Sequence, residues 1–113
     1  MTWRLTGRRA FRRLRHVGQR GRSGPVTVIA APSDAARARV AFAVGKALGP
    51  AVARNRVRRR LRHALSQLEA AGRLPAADYL VIASPGLQSM DWLALVHHTE
   101  AAIAAANSKL GAT

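Results

Sequence analysis

Six arginines crowd into the nine residues Arg54-Asn55-Arg56-Val57-Arg58-Arg59-Arg60-Leu61-Arg62. Guanidinium groups bind anions: the planar fork matches two phosphate oxygens, and its face stacks on a base. Hydrolysis asks for something else, either clustered carboxylates holding metal ions or a histidine with an acid–base partner. The five acidic residues, Asp34, Glu69, Asp78, Asp91 and Glu100, fall on different predicted elements, and no pair has carboxylate-site spacing. His97 and His98 are adjacent, so on a helix they point about 100° apart and chelate poorly. His16 and His63 lie among arginines and read as structural or RNA-contacting. With no cysteine, thiolate metal sites and disulfides are excluded. These residues describe a nucleic-acid-binding module with no active site of its own.

Where the charge lies supports this. Residues 1–62 carry sixteen arginines and Lys46 against Asp34 alone, +16, whereas residues 63–113 carry two basic residues against four acidic, −2. Such asymmetry points to a polyanion surface rather than to general solubility. A basic membrane-surface helix is disfavoured, because the apolar face of the arginine segment is Val, Leu and Ala without Trp or Phe. No apolar run reaches membrane-spanning length, and the basic N-terminus lacks the apolar stretch of a secretory signal, so a cytoplasmic protein is expected.

The arginines need a scaffold, and their own periodicity supplies it. At about 100° per residue, Ala53, Val57, Leu61, Ala64, Leu65 and Leu68 share one face of a helix. Asn55, Arg58, Arg59 and Arg62 cluster on the other. Pro50 marks a start and Gly72 an end. A solvated charged face is the bland reading. It is weakened because like charges three or four apart oppose each other by a few tenths of a kcal/mol per pair, and only Glu69 lies near enough to offset them. A polyanion would.

The remaining pattern predicts one domain over residues 1–113 with loose ends at about 1–5 and 111–113. Thr6 can cap a short helix from about Gly7 to Val17, with Ala10, Phe11, Leu14 and Val17 around an apolar contact. Gly18 to Pro25 reads as a basic, mobile connector. Val26–Ala30 and Ala38–Val44 read as strands joined as a hairpin with a longer loop. On the second, Val40, Phe42 and Val44 point one way, Ala41, Ala43 and Gly45 the other. The large side should be core; the small side leaves room for something to lie on the sheet, or is a shallow exposed face. Asp78–Ala83 is the clearest strand. Ser89 or Asp91 can cap a last helix to about Leu110, with Trp92, Leu95, Val96, Thr99, Ala102, Ile103 and Ala106 as its buried stripe. The sum is an α+β sandwich.

The segment from Lys46 through Gly49, Ala51-Val52, Arg54-Asn55-Arg56 and on to Arg62 resembles the signature of the bacterial ribonuclease P protein subunit. The resemblance extends to Phe11 on one side and Asp78-Tyr79 on the other. It implies the order α-β-β-(β)-α-β-α, about four strands with an unusual left-handed βαβ crossover, as in the second domain of ribosomal protein S5. It implies an endoribonuclease in which the catalytic subunit is an RNA that uses Mg²⁺ to remove the 5′ leader from precursor tRNA. The protein itself would hold no cofactor and no catalytic residue, and would pair one-to-one with that RNA. Lys46, Arg54, Asn55, Arg56, Arg58, Arg59 and Arg62 match the signature and should meet the RNA. Phe11, Arg15, Thr27, Ile29, Ala43 and Ala83 match positions that line the leader cleft, Ala83 together with Val81 on the open side.

The sequence also departs from the family pattern. Arg15 and Ile29 stand where aromatics are common, Gly45 where Ser is, His63 where Glu often ends the signature, and Ser84 where a basic residue is frequent. Electrostatics would then carry more of the leader contact than stacking. Composition alone also fits a small basic ribosomal protein or RNA chaperone. A DNA-binding regulator lacks a helix-turn-helix partner ahead of the arginine helix.

Overall fold

The computed structural model describes residues 3–111, Trp3 by its backbone alone. In chain order the elements are β1 (Trp3–Arg4), α1 (Arg8–Val17), β2 (Gln19–Ser23), β3 (Val26–Ala31), β4 (Arg39–Val44), α2 (Ala51–Ala70), β5 (Asp78–Ala83) and α3 (Trp92–Gly111). Four full strands and the two-residue β1 form one sheet in the order β1-β4-β5-β3-β2. β5 runs parallel to β4 and antiparallel to β3, so β4–α2–β5 is a parallel crossover unit. The α+β class and the number of main strands agree with expectation.

Several local readings do not. β3 and β4 are not a hairpin, because β5 inserts between them and takes hydrogen bonds from both. The hairpin is instead β2–β3, turning at Gly24 with φ +56°. The segment read as a mobile connector therefore holds a strand, β2. Gly21 is needed there for close approach: a Cβ would sit 2.3 Å from the Ala102 carbonyl oxygen, so only glycine lets β2 lie against α3. Residues 3–5 are not loose either. β1 pairs with Arg39 and Val40, and Leu5 is buried. Gly111 closes α3, and residues 1–2 and 112–113 lie outside those described. Thr6 makes no cap; Gly7 holds that position with no side-chain bond.

α2 buries Val57, Leu61, Ala64, Leu65 and Leu68, the predicted stripe except for Ala53, which is half-buried. It ends where Gly72 turns left-handed (φ +73°), with Gly72 N–H donating to the Glu69 carbonyl and Arg73 N–H to that of Leu68. Asp91 Oδ1 accepts from Ala94 N–H and caps α3. Below α2 and α3, the sheet contributes Val26, Val28, Val40, Val44, Tyr79, Val81 and Ala83 to the main core. On its other face, α1 contributes Leu14 to a smaller cluster with Leu5 and Ala31, against which Ile29, Ala41 and Leu80 pack.

Candidate nucleic-acid interface

Four of the five carboxylates are engaged in structure. Asp78, 1% exposed at the start of β5, accepts from Arg39 Nε at 2.7 Å and Nη2 at 2.8 Å. That hydrogen bond raises the Arg39 pKa, against the opposing pull of desolvation. Glu69 pairs with Arg37 at 2.9 Å and Glu100 with Arg73 at 3.0 Å. Burial raises the Tyr79 pKa, and its hydroxyl donates to the Pro75 carbonyl at 2.6 Å. Among the described residues, no group of three or more His, Asp or Glu is arranged to hold a metal ion.

The arginines of α2 divide by direction. Arg58 and Arg62 flank one side of its buried stripe, Arg56 and Arg60 the other, and Asn55 and Arg59 face outward. Among the described residues, no carboxylate pairs with Arg56, Arg58, Arg59 or Arg62. Asn55 Oδ1 accepts from Arg58 Nη1 at 2.9 Å, holding one guanidinium in place. Arg54 is half-buried, and its Nε has no hydrogen-bond partner among the described residues. Lys46 is exposed in a short 3₁₀ turn at Lys46–Leu48, ahead of α2. Arg60 behaves differently: it donates to the Leu87 and Met90 carbonyls at 3.4 and 2.5 Å and ties α2 to the segment before α3.

Beside α2 lies a cavity of about 910 Å³. Phe11 of α1, Ala41 and Phe42 of β4, and Arg58, Arg62 and His63 of α2 line it. The Arg62 guanidinium sits over the Phe42 ring, 5.9 Å from its centroid, a cation–π contact. Phe42 is thus half-buried, on the core side as predicted but also at the cavity wall. Phe11 is 37% exposed, and a shallow groove joins it to Arg8, Arg12 and Arg15. The two surfaces read separately from sequence, the arginine helix and the side of α1 that carries Phe11, meet in this cavity.

Most of the other residues read as cleft-lining share the open face of the sheet, where Thr27 is buried and Ile29 and Ala43 are half-exposed. Thr27, Ile82 and Ala43 are consecutive cross-strand partners on β3, β5 and β4, and Arg22 extends the row onto β2. Ile29 stands in the next row with Arg20, Leu80 and Ala41. Ala83 does not belong to this face. It is 8% exposed, pairs with Val26 and lies in the main core, as does Val81; Ile82 takes the position expected of Ala83. Sequence reasoning also missed Arg20 and Arg22. The period-two pattern Gln19-Arg20-Gly21-Arg22-Ser23 carried the signal, charged on one side and small or polar on the other.

An α+β domain with a cationic surface, with Glu69, Asp78 and Glu100 held in ion pairs and Asp91 in a cap, has the build of the polyanion-binding class. Comparison narrows the class. The family model for ribonuclease P matches residues 1–107. The ribonuclease P protein component of Thermus thermophilus is 46% identical over 91 residues, which cover 80% of this chain and 52% of that protein. That of Thermobifida fusca is 37% identical over 106 residues, covering 87% and 71%. The chain spans about half the length of the Thermus relatives. The solved ribonuclease P proteins of Staphylococcus aureus and Thermotoga maritima share the fold. Their TM-scores are 0.76 and 0.75 and their identities 24% and 22%; the matches cover 88% and 85% of this chain, and 91% and 90% of theirs. The chain belongs to the ribonuclease P protein family.

Proposed function

We propose that this chain is the protein subunit of ribonuclease P, binding a catalytic RNA and the 5′ leader of precursor tRNA. The observation that carries the reading is the cationic side of α2, where Arg56, Arg58, Arg59 and Arg62 have no described carboxylate partner and Arg58 and Arg62 line the cavity beside Phe11. Phosphates of two RNA molecules repel where they approach, and guanidinium groups between them relieve that repulsion. Lys46, Arg54, Asn55, Arg56, Arg58, Arg59 and Arg62 meet the catalytic RNA. The row Thr27–Ile82–Ala43, edged by Arg20 and Arg22, takes the leader, with Phe11 and Arg15 at its rim. Cleavage is the work of the RNA and its Mg²⁺; the protein lowers the Mg²⁺ concentration required. No helix among the described residues is long and apolar enough to cross a membrane.

Reconstitution tests this. The protein, a bacterial catalytic RNA and precursor tRNA are combined at low Mg²⁺. The protein should restore cleavage that the RNA alone no longer supports, and protein without RNA should cleave nothing. Turnover by rigorously RNA-free protein would overturn the reading.

A further inference from the structure

The sequence pattern places Trp92 in the buried stripe of α3, and the structure turns it outward. It is 37% exposed, and its neighbour Leu93 is 80% exposed; the fully buried positions of α3 begin one turn later, at Leu95. Arg60 fixes where this apolar pair stands. Its guanidinium holds the Leu87 and Met90 carbonyls, and Leu87 is wholly buried, so the segment is anchored to the flank of α2. Trp92 follows Met90 by two residues, at most about 7 Å of chain. Arg56, one turn before Arg60 on the same flank, is exposed and has no described carboxylate partner. The cationic stripe therefore has Phe11 and the cavity on one flank and an exposed indole beside the other.

We infer that Trp92, with Leu93 beside it, is a stacking platform for an unpaired base of the RNA lying on α2, with Arg56 taking the adjoining phosphate. The inference rests on the RNA-binding reading of that helix. An aromatic face next to guanidinium groups is the combination that holds single-stranded nucleic acid without reading its sequence, since every base offers a π-face. A second copy of the chain is a poor occupant, because each carries a formal charge of +14 and the copies repel.

The chain has two tryptophans, so Trp3→Phe leaves Trp92 as the sole indole reporter. That protein, its Trp92→Ala and Trp92→Phe derivatives and Arg56→Ala are titrated with the catalytic RNA across a salt series. Absence of RNA binding by the parent protein would remove the RNA reading of α2, and this inference with it. With binding established, Trp92 emission should be quenched, and Trp92→Ala should weaken affinity at least about fivefold. Trp92→Phe should recover most of the loss. The log–log salt slope of Trp92→Ala should match the parent's, whereas Arg56→Ala should reduce it by about one. Quenching and the Phe variant report on stacking even if Trp92→Ala folds poorly. Unquenched emission together with parental affinity in Trp92→Ala overturns the assignment. So does a loss of self-association in Trp92→Ala, followed by sedimentation, at unchanged RNA affinity, which would give the platform to a second copy.

Discussion

The two faces of the sheet are made by the same strands, yet one is sealed beneath α2 and α3 and the other is only half covered by α1. On the sealed face Val26, Val28, Tyr79 and Val81 are 0% exposed. On the open face Ile29, Leu80, Ile82 and Ala43 stay half-exposed, and Arg20 and Arg22 are exposed at its β2 edge. α2 repeats the division within one helix: its inner stripe is leucine and valine, while its outer stripe is arginine without described acidic partners. Within the sheet and within α2, stability and charge are thus segregated by face. A substitution's consequence should follow the face it sits on, even between neighbours in sequence.

The sealed face gives the largest expected effect. Leu65, 0% exposed in the main core, loses its packing in Leu65→Ala, at a cost of about 2–5 kcal/mol. Ala83→Trp, which forces an indole into the same layer, also belongs here. Both should show as a lower midpoint in denaturant unfolding. Retained stability in Ala83→Trp would mean that β5 presents its other face to the helices.

Arg60 sharpens the division, because it belongs to the arginine run yet bonds two backbone carbonyls. Arg60→Ala should cost roughly 1–3 kcal/mol, the range for charge-assisted hydrogen bonds, and change the salt slope of RNA binding by less than one unit. Arg58→Ala combined with Arg62→Ala should do the opposite. Stability should fall by no more than about 1 kcal/mol, the scale of the exposed Arg62–Phe42 contact, offset in part as repulsion is relieved. The log–log salt slope should fall by roughly one per lost phosphate contact. If the two proteins behave alike, the run is one undifferentiated charged surface.

How much of this was legible in sequence follows the same division. The inner stripe of α2 and the span of β5 were readable because a single period repeats without competition. Which face of β5 is buried was not. Leu80 and Ile82 are as apolar as Tyr79 and Val81, so alternation identifies no inside to check the resemblance, which puts Ala83 on the open side while the structure buries it. β2 was lost because glycines signal a break; Gly21 is in fact demanded by the backbone of α3, a tertiary cause that no local pattern carries. Spacing alone puts Trp92 in the buried stripe, whereas α3 reaches full burial only from Leu95. The meeting of Phe11 with Arg58 and Arg62 depends on how α1 and α2 flank the edge of β4, and such long-range geometry lies outside any sequence window.

The smallest expected effect is the most discriminating. Ala43 is half-exposed on the open face, one residue from Val44, which is 6% exposed beneath the helices. Ala43→Trp adds an indole over the row Thr27–Ile82 without entering the core, so unfolding free energy should change by less than about 1 kcal/mol. If the open face takes the leader, the indole occupies its path, and the holoenzyme's preference for precursor over mature tRNA should fall about tenfold, equivalent to about 1.4 kcal/mol. Mature tRNA has no leader, so its affinity serves as the internal control and should not move. An unchanged preference would shift the leader to the cavity between α1 and α2. The open face of the sheet would then be shallow surface, and the contrast between the two faces would concern packing alone.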